Sequence, residues 1–209
     1  MNIVLIGIQG SGKGTVIEKL KNSFDFSLIS TGQLLRDEIA SGSDLGKELK
    51  STIDNGELVK TDIIINIIKN RLDNDCKDMI IFDGFPRSQE QAEELDKICN
   101  IDLAIHLHIT KQTAISRILN RLTCSQCGYV TNKSSVSSNS CPKCNGDLVQ
   151  RADDNIDAIE QRFNIYETET YPLIERYKKS GLLAEVDASQ KPDDVCADVL
   201  KVIRDYNKK

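Results

Sequence analysis

Short runs of apolar, largely β-branched residues recur at residues 3–8, 26–30, 79–82, 103–109 and 183–186, with segments between them in which apolar residues return every three or four positions. The runs have the length and composition of buried strands, and the spacer segments have the period of helices with one apolar face. This alternation predicts an α/β fold with a central parallel sheet covered by helices. Helices are expected over residues 13–22, 62–74 with Thr61 as N-cap, 88–98, 111–121, 155–179 with a kink at Pro172, and 192–206 with Pro192 in its first turn. Two stretches break the alternation. Residues 30–59 are polar and helical with no strand between, and residues 120–154 hold four cysteines and a Ser-rich run that reads as a flexible loop tip. Both are read as insertions, leaving 1–29, 60–119 and 155–209 as the core.

Composition bounds the partners. At 209 residues, 39% hydrophobic and 28% charged, the chain has the size of one globular core with small insertions. Its 27 basic against 32 acidic residues give a net charge of −5, which disfavours nucleic acid or an anionic membrane as a partner. The apolar start lacks a basic leader and stops at Gln9, so it is expected to be a strand and the protein cytoplasmic. In a reducing compartment the seven cysteines read as thiols or metal ligands.

The strongest motif is Gly7-Ile8-Gln9-Gly10-Ser11-Gly12-Lys13-Gly14-Thr15, placed between a predicted strand and a predicted helix. Glycines there let backbone N–H groups turn toward phosphate oxygens, and Lys13 adds a positive charge, the arrangement of a P-loop. Gly14 stands where Ser or Thr commonly follows the lysine, which leaves direct Mg²⁺ ligation by Thr15 open. Asp83 closes the strand ahead of Gly84-Phe85-Pro86-Arg87. It suits a magnesium-bound water beside the phosphate loop, or the N-cap or Asx turn of the helix that follows.

Only nine of the basic residues are arginine. Arg71, Arg176 and Arg204 read as surface ion pairs. Arg36, Arg87, Arg117, Arg121, Arg151 and Arg162 read as phosphate contacts, where a planar fork grips better than an ammonium. Arg117 and Arg121 are expected on one helical face. Cys124, Cys127, Cys141 and Cys144 form two CxxC pairs of the kind that holds tetrahedral zinc with no open position, hence a structural metal. Cys76, Cys99 and Cys196 read as packing residues. His106 and His108, the only histidines, share a strand face and read as ordinary strand residues.

Taken together, these motifs resemble the adenylate kinases of the bacterial long-lid, zinc-containing type over nearly the whole chain. The resemblance rests on Gly7 to Thr15, on Ser30-Thr31-Gly32-Gln33-Leu34-Leu35-Arg36, on Asp83 to Arg87 with Gln91, on Arg117 and Arg121, and on Gln150-Arg151-Ala152-Asp153-Asp154 with Arg162. It implies reversible phosphoryl transfer from MgATP to AMP giving two ADP, by a monomer carrying a zinc lid. It further implies AMP contacts at Thr31, Arg36, Glu57, Leu58, Val59, Gly84, Phe85, Pro86, Arg87, Gln91, Arg151 and Arg162. ATP would meet Gly10, Ser11, Gly12, Lys13, Gly14, Thr15, Arg117, Arg121, Val130, Thr131 and Gln190. Lys13, Arg87, Arg117, Arg121, Arg151 and Arg162, with Asp83 and Mg²⁺, would surround the group in flight.

Gln9 departs from the proline usual in such loops, Gln33 from a frequent acidic residue and Thr131 from a common lid aromatic, and the loop between the cysteine pairs is short. Altered lid contacts are expected from these changes, with the reaction unaltered. Rival readings are a kinase for another nucleoside monophosphate, a zinc-ribbon nucleic-acid binder, for which residues 123–149 carry only Lys133 and Lys143, and a GTPase, for which no guanine-reading Asn-Lys-x-Asp is present.

Overall fold

The computed structural model describes residues 1–74, 77–151 and 153–208, so Cys76 lies outside the described residues. β1 (Asn2–Ile6) leads through the glycine-rich loop into α1 (Lys13–Leu20), and β2 (Ser27–Ser30) runs directly into α2 (Thr31–Ala40) and α3 (Asp44–Asp54). Then come α4 (Thr61–Asn74), β3 (Ile80–Asp83), α5 (Gln89–Asp96), β4 (Leu103–His108) and α6 (Lys111–Leu119). Three short strands follow: β5 (Arg121–Cys124), β6 (Val130–Asn132) and β7 (Leu148–Val149). After them lie α7 (Ile156–Ile165), α8 (Pro172–Lys179), β8 (Leu183–Asp187) and α9 (Pro192–Tyr206).

The five strands expected from the apolar runs form one parallel sheet in the order β2-β3-β1-β4-β8. Alternate residues of the central strand feed two cores. Val4 and Ile6 pack with Phe82, Ile68 and Leu95 on one face, while Ile3 and Leu5 pack with Ile105, Leu20 and Val199 on the other. Both layers are needed because β1 is buried on both sides, which explains why its sequence is continuously apolar. The register sets Leu5 and Ser30 on either side of Asp83, so the carboxyl ends of β1, β2 and β3 form one rim.

Three local expectations are corrected. Arg121 is not helical: α6 stops at Leu119, the Asn120 side chain folds back onto the Ser116 carbonyl at 2.9 Å, and Arg121 opens β5. The 155–179 helix is not one rod bent at Pro172. It is interrupted over Tyr166–Thr170 by a wide turn in which the Tyr171 N–H bonds back to Tyr166, and Pro172, which lacks an N–H to bond a preceding carbonyl, starts α8. Thr61 is the first residue of α4 rather than its cap. Beyond these, residues 120–154 hold an antiparallel sheet, β6-β5-β7, over a small core of Leu122, Cys124, Cys141 and Leu148.

Candidate active site

The loop after β1 is shaped by its glycines. The Ser11 N–H closes onto the Ile8 carbonyl at 3.0 Å, with Gly10 at φ +87° in the position where such a turn needs left-handed backbone. A Cβ on Gly10 would lie 2.7 Å from the Ala114 carbonyl, so the loop also sits hard against α6. Gly12, at φ +95°, precedes α1 and makes no side-chain cap, which leaves the first amides of the helix facing the loop. Lys13 arches over it and donates to the Gly7 carbonyl at 2.7 Å. Ser11 is buried, and Gly14 and Thr15 are exposed.

At the neighbouring strand end, Asp83 accepts from Ser30 Oγ at 3.1 Å. It does not cap the next helix: Ser88 does, accepting from the Gln91 N–H at 3.2 Å. Gly84, at φ +76°, lets the chain turn under Arg87, whose Nε donates to the Gly84 carbonyl at 2.8 Å, and a Cβ there would lie 2.9 Å from the guanidinium. The Thr31 hydroxyl bonds the same carbonyl at 2.9 Å. Gln91, 1% exposed, accepts the Arg87 N–H at 2.8 Å through Oε1, which turns its NH₂ the other way as a donor. Leu58, Val59, Ser88 and Gln91 line a cavity of about 450 Å³, with Phe85 and Pro86 buried close behind in sequence. Glu57 is exposed on the same connection between α3 and α4.

The cations converge. Lys13 is lowered to about 8, first by burial, and although Asp83 opposes the shift, Arg87 and Arg121 add to it. Burial is also the first cause for Arg87, lowered further by Arg162 and Arg36, and for Arg151, lowered to about 10 with Arg121 and Arg36 contributing. Arg36, steadied by Gln33 Oε1 at 3.1 Å, falls by burial and by proximity to Arg121. Burial and neighbouring positive charge weigh against the charged form of each of these groups, while Asp83, Asp153 and Asp154 favour it. Arg117 reaches the same loop, its guanidinium about 4.0 Å from where a Gly12 Cβ would stand.

Two carboxylates of the Gln150–Asp154 motif, to which the sequence assigned no role of their own, hold two of these arginines in place. Arg121 forks onto Asp154, and Arg162 donates to Asp153 at 2.8 Å. Against burial, Arg162, Arg151 and Arg36 keep the Asp153 carboxyl below its ordinary range. The signal for both was present as the paired Asp-Asp after Arg151. Arg176 pairs with Asp96, in line with its reading as a surface ion pair.

In the small sheet, Thr131 and Val130 pair with Leu122 and Thr123 beside Arg121, and Arg151 Nε donates to Thr123 Oγ1 at 3.0 Å. Gln190 is exposed after β8, its amide spent on Asp187 and Asp198. The four CxxC sulfurs lie within 4.8 Å of one another, with Cys124–Cys144 at 3.4 Å and Cys127–Cys141 at 3.6 Å. Four thiolates about 2.3 Å from a tetrahedral zinc would sit about 3.8 Å apart, so the set is compatible with that metal, and these spacings are too long for disulfides. The Cys127 N–H leads in pulling Cys124 down to about 6, toward the thiolate a metal needs. Against the pull of the Gly146 N–H, bonding to Cys127 and Cys124 pushes the Cys144 thiol up to about 12. His106 is buried between Tyr166 and Glu185 with its pKa lowered, first by burial, in keeping with a role as a strand residue.

Comparison with known proteins gives a consistent answer. The family model described as Adenylate kinase matches residues 5–182. Relatives named Adenylate kinase include those of Thermodesulfovibrio yellowstonii, 38% identical over 97% of this chain and 99% of its own length, and Archaeoglobus fulgidus, 36% identical over 97% and 98%. That of Thermosipho melanesiensis is 38% identical over 98% of this chain and 100% of its own. With a P-loop at the carboxyl rim of a parallel sheet and a match of this extent, the chain belongs to the adenylate kinase family, phosphotransferases that move a phosphoryl group reversibly between ATP and AMP to give ADP.

Proposed function

We propose that the cations at the sheet rim hold ATP and AMP tail to tail and that their convergence is what makes the transfer work. ATP lies with its phosphates on Gly10, Ser11, Gly12, Lys13, Gly14 and Thr15, with Arg117 and Arg121 over them and Val130, Thr131 and Gln190 toward its base. AMP lies over Thr31, Arg36, Gly84 and Arg87, its base in the cavity of Leu58, Val59 and Gln91, and its phosphate toward Arg151 and Arg162. The donor turned out by Gln91 suits the ring-nitrogen acceptor of adenine.

An AMP phosphate oxygen attacks the γ-phosphorus of ATP. As that bond forms, the bond from the γ-phosphorus to the β-bridging oxygen breaks, and its electron pair leaves on ADP. The attacking oxygen is already anionic near neutrality, so no general base is required. What the residues supply is alignment and compensation for charge spread over the transferring oxygens, the part given to Lys13, Arg87, Arg117, Arg121, Arg151 and Arg162. Members of this family use Mg²⁺ with ATP, and the metal neutralises charge on the phosphates. Asp83, held by Ser30 and free of any capping role, would hold the water shell of that metal.

Water would compete as acceptor, so the site must close during transfer. Residues 30–59 and 120–154 are the two covers, and adenylate kinase lids are an established instance of such closure. Cys124, Cys127, Cys141 and Cys144 would hold a structural zinc, which would stiffen a lid whose own buried core is four side chains. The protein acts as a cytoplasmic monomer; among the described residues no helix is long and apolar enough to cross a membrane. The observation that supports this reading most directly is the placement of the cations: Lys13 donates to the Gly7 carbonyl of the glycine-rich loop, Arg87 lies on Gly84, and Arg121 and Arg162 are held by the adjacent Asp154 and Asp153. The test is to supply purified protein with ATP and Mg²⁺ and compare AMP, CMP, UMP and GMP as acceptors. ADP formed with AMP at the highest kcat/KM is expected; a preference for another acceptor overturns the assignment of the base cavity.

A further inference from the structure

Position 9 is the second residue of the Ile8–Ser11 turn, where proline is favoured because its φ is already set. Gln9 forgoes that rigidity and carries instead an amide that leaves the loop, its Nε2 donating to Asp154 Oδ1 at 3.3 Å. The same carboxylate is fully buried and receives the Arg121 fork, Nε onto Oδ2 at 3.1 Å and Nη2 onto Oδ1. Gln9 Oε1 is inaccessible and takes no hydrogen bond among the described residues, so Asp154 alone sets the orientation of the amide; flipping it would bring two oxygens face to face. One carboxylate thus joins three segments: the phosphate loop, the first residue of β5 and the chain just ahead of α7.

We infer that Gln9 is a positioning residue for the transfer, tying the phosphate loop to Asp154 so that Arg121 is held over the phosphates when the 120–154 segment is down. This rests on the reaction geometry proposed above. A bond inside a core would only stabilise the fold; this one spans segments that must part if the lid swings on its ends, so its loss should be felt in turnover.

The test pairs Gln9→Leu, which keeps the shape and removes the amide, with Gln9→Pro, which suits the turn, each in the wild-type and Asp154→Asn backgrounds. Both variants are expected to melt as the wild type does and to lose about three- to tenfold in kcat, the effect of one hydrogen bond, with the KM for AMP unchanged. In the Asp154→Asn background the further loss should fall below about twofold, because the partner is already impaired. In nuclear magnetic resonance spectra the Arg121 Nε–H signal should shift in Gln9→Leu while that of Arg87, bonded to Gly84, stays. An equal loss in both backgrounds, an unchanged kcat, or an unmoved Arg121 signal overturns the inference. A wild-type protein that makes no ADP from ATP and AMP would instead sink the reaction assignment itself.

Discussion

Arg162 meets Asp153 at 2.8 Å with both side chains largely buried, and the same guanidinium nitrogen donates to the carbonyl of Ile53 at 3.1 Å. A single fork therefore binds α7, the end of the 120–154 segment and the last turn of α3. A lysine could keep the charge but not both directed bonds. Arg162→Lys is expected to lower kcat by about 10²-fold or more, the scale of losing one aligned donor to a developing charge. Steady-state kinetics at saturating ATP and AMP checks this, and near-normal turnover would show that Arg162 is only a brace.

Lys13 should titrate in an accessible range. Burial first, then Arg87 and Arg121, hold its pKa at about 8 against the pull of Asp83, whereas bound phosphates favour the charged form. The sign follows: free protein above pH 8 has largely lost that proton, and ATP binding draws it back. Proton uptake on binding ATP is expected to be small at pH 7 and to approach one proton near pH 9, measured by calorimetry in buffers of different ionisation enthalpy. In parallel, kcat/KM for ATP should fall as pH rises through 8. Proton release, or no exchange, would place Lys13 away from the phosphates.

Lys143, between Cys141 and Cys144, lies over the Tyr129 ring and pairs with Glu18 on α1. Both charged groups are about half exposed, at 48% and 46%, so the pair is discounted to at most about 1 kcal/mol. Lys143→Ala is expected to raise the open fraction of the lid by no more than about fivefold, read by fluorescence transfer between dyes on lid and core. Raising salt should produce the same shift in the wild type and none in the variant.

The cysteine set makes a different prediction. Cys124→Ser with Cys141→Ser, or a chelator, should lower the melting temperature while leaving turnover at low temperature within a few fold, since the four clustered sulfurs would fill a tetrahedral metal and leave it no open position. Lost activity with unchanged melting would contradict a structural metal.

Much of the fold was legible because β1 and β4 are buried on both faces and so read as mostly apolar runs, with His106 the buried polar exception. The phosphate loop was legible because Gly10 and Gly12 stand in left-handed backbone that few other residues allow. Arg121 was misplaced because a four-residue spacing reads as helical even where Asn120, a helix stop signal, intervenes. The turn at Tyr166–Thr170 was hidden because its cause is tertiary: it brings the Thr170 hydroxyl to the Arg87 carbonyl at 2.8 Å and the Tyr166 hydroxyl to His106 at 3.0 Å. Asp153 and Asp154 stood in plain view, but only the folded chain shows which guanidinium groups they hold.

The central claim is that one cation-lined space receives both nucleotides at once. Titration calorimetry with two adenosines joined through five phosphates tests it most directly. The account predicts one molecule bound per chain, more tightly than ATP or AMP alone, with both displaced together and the affinity reduced in Arg151→Ala and Arg162→Ala. Two molecules bound independently, or displacement of ATP with AMP left in place, would contradict it.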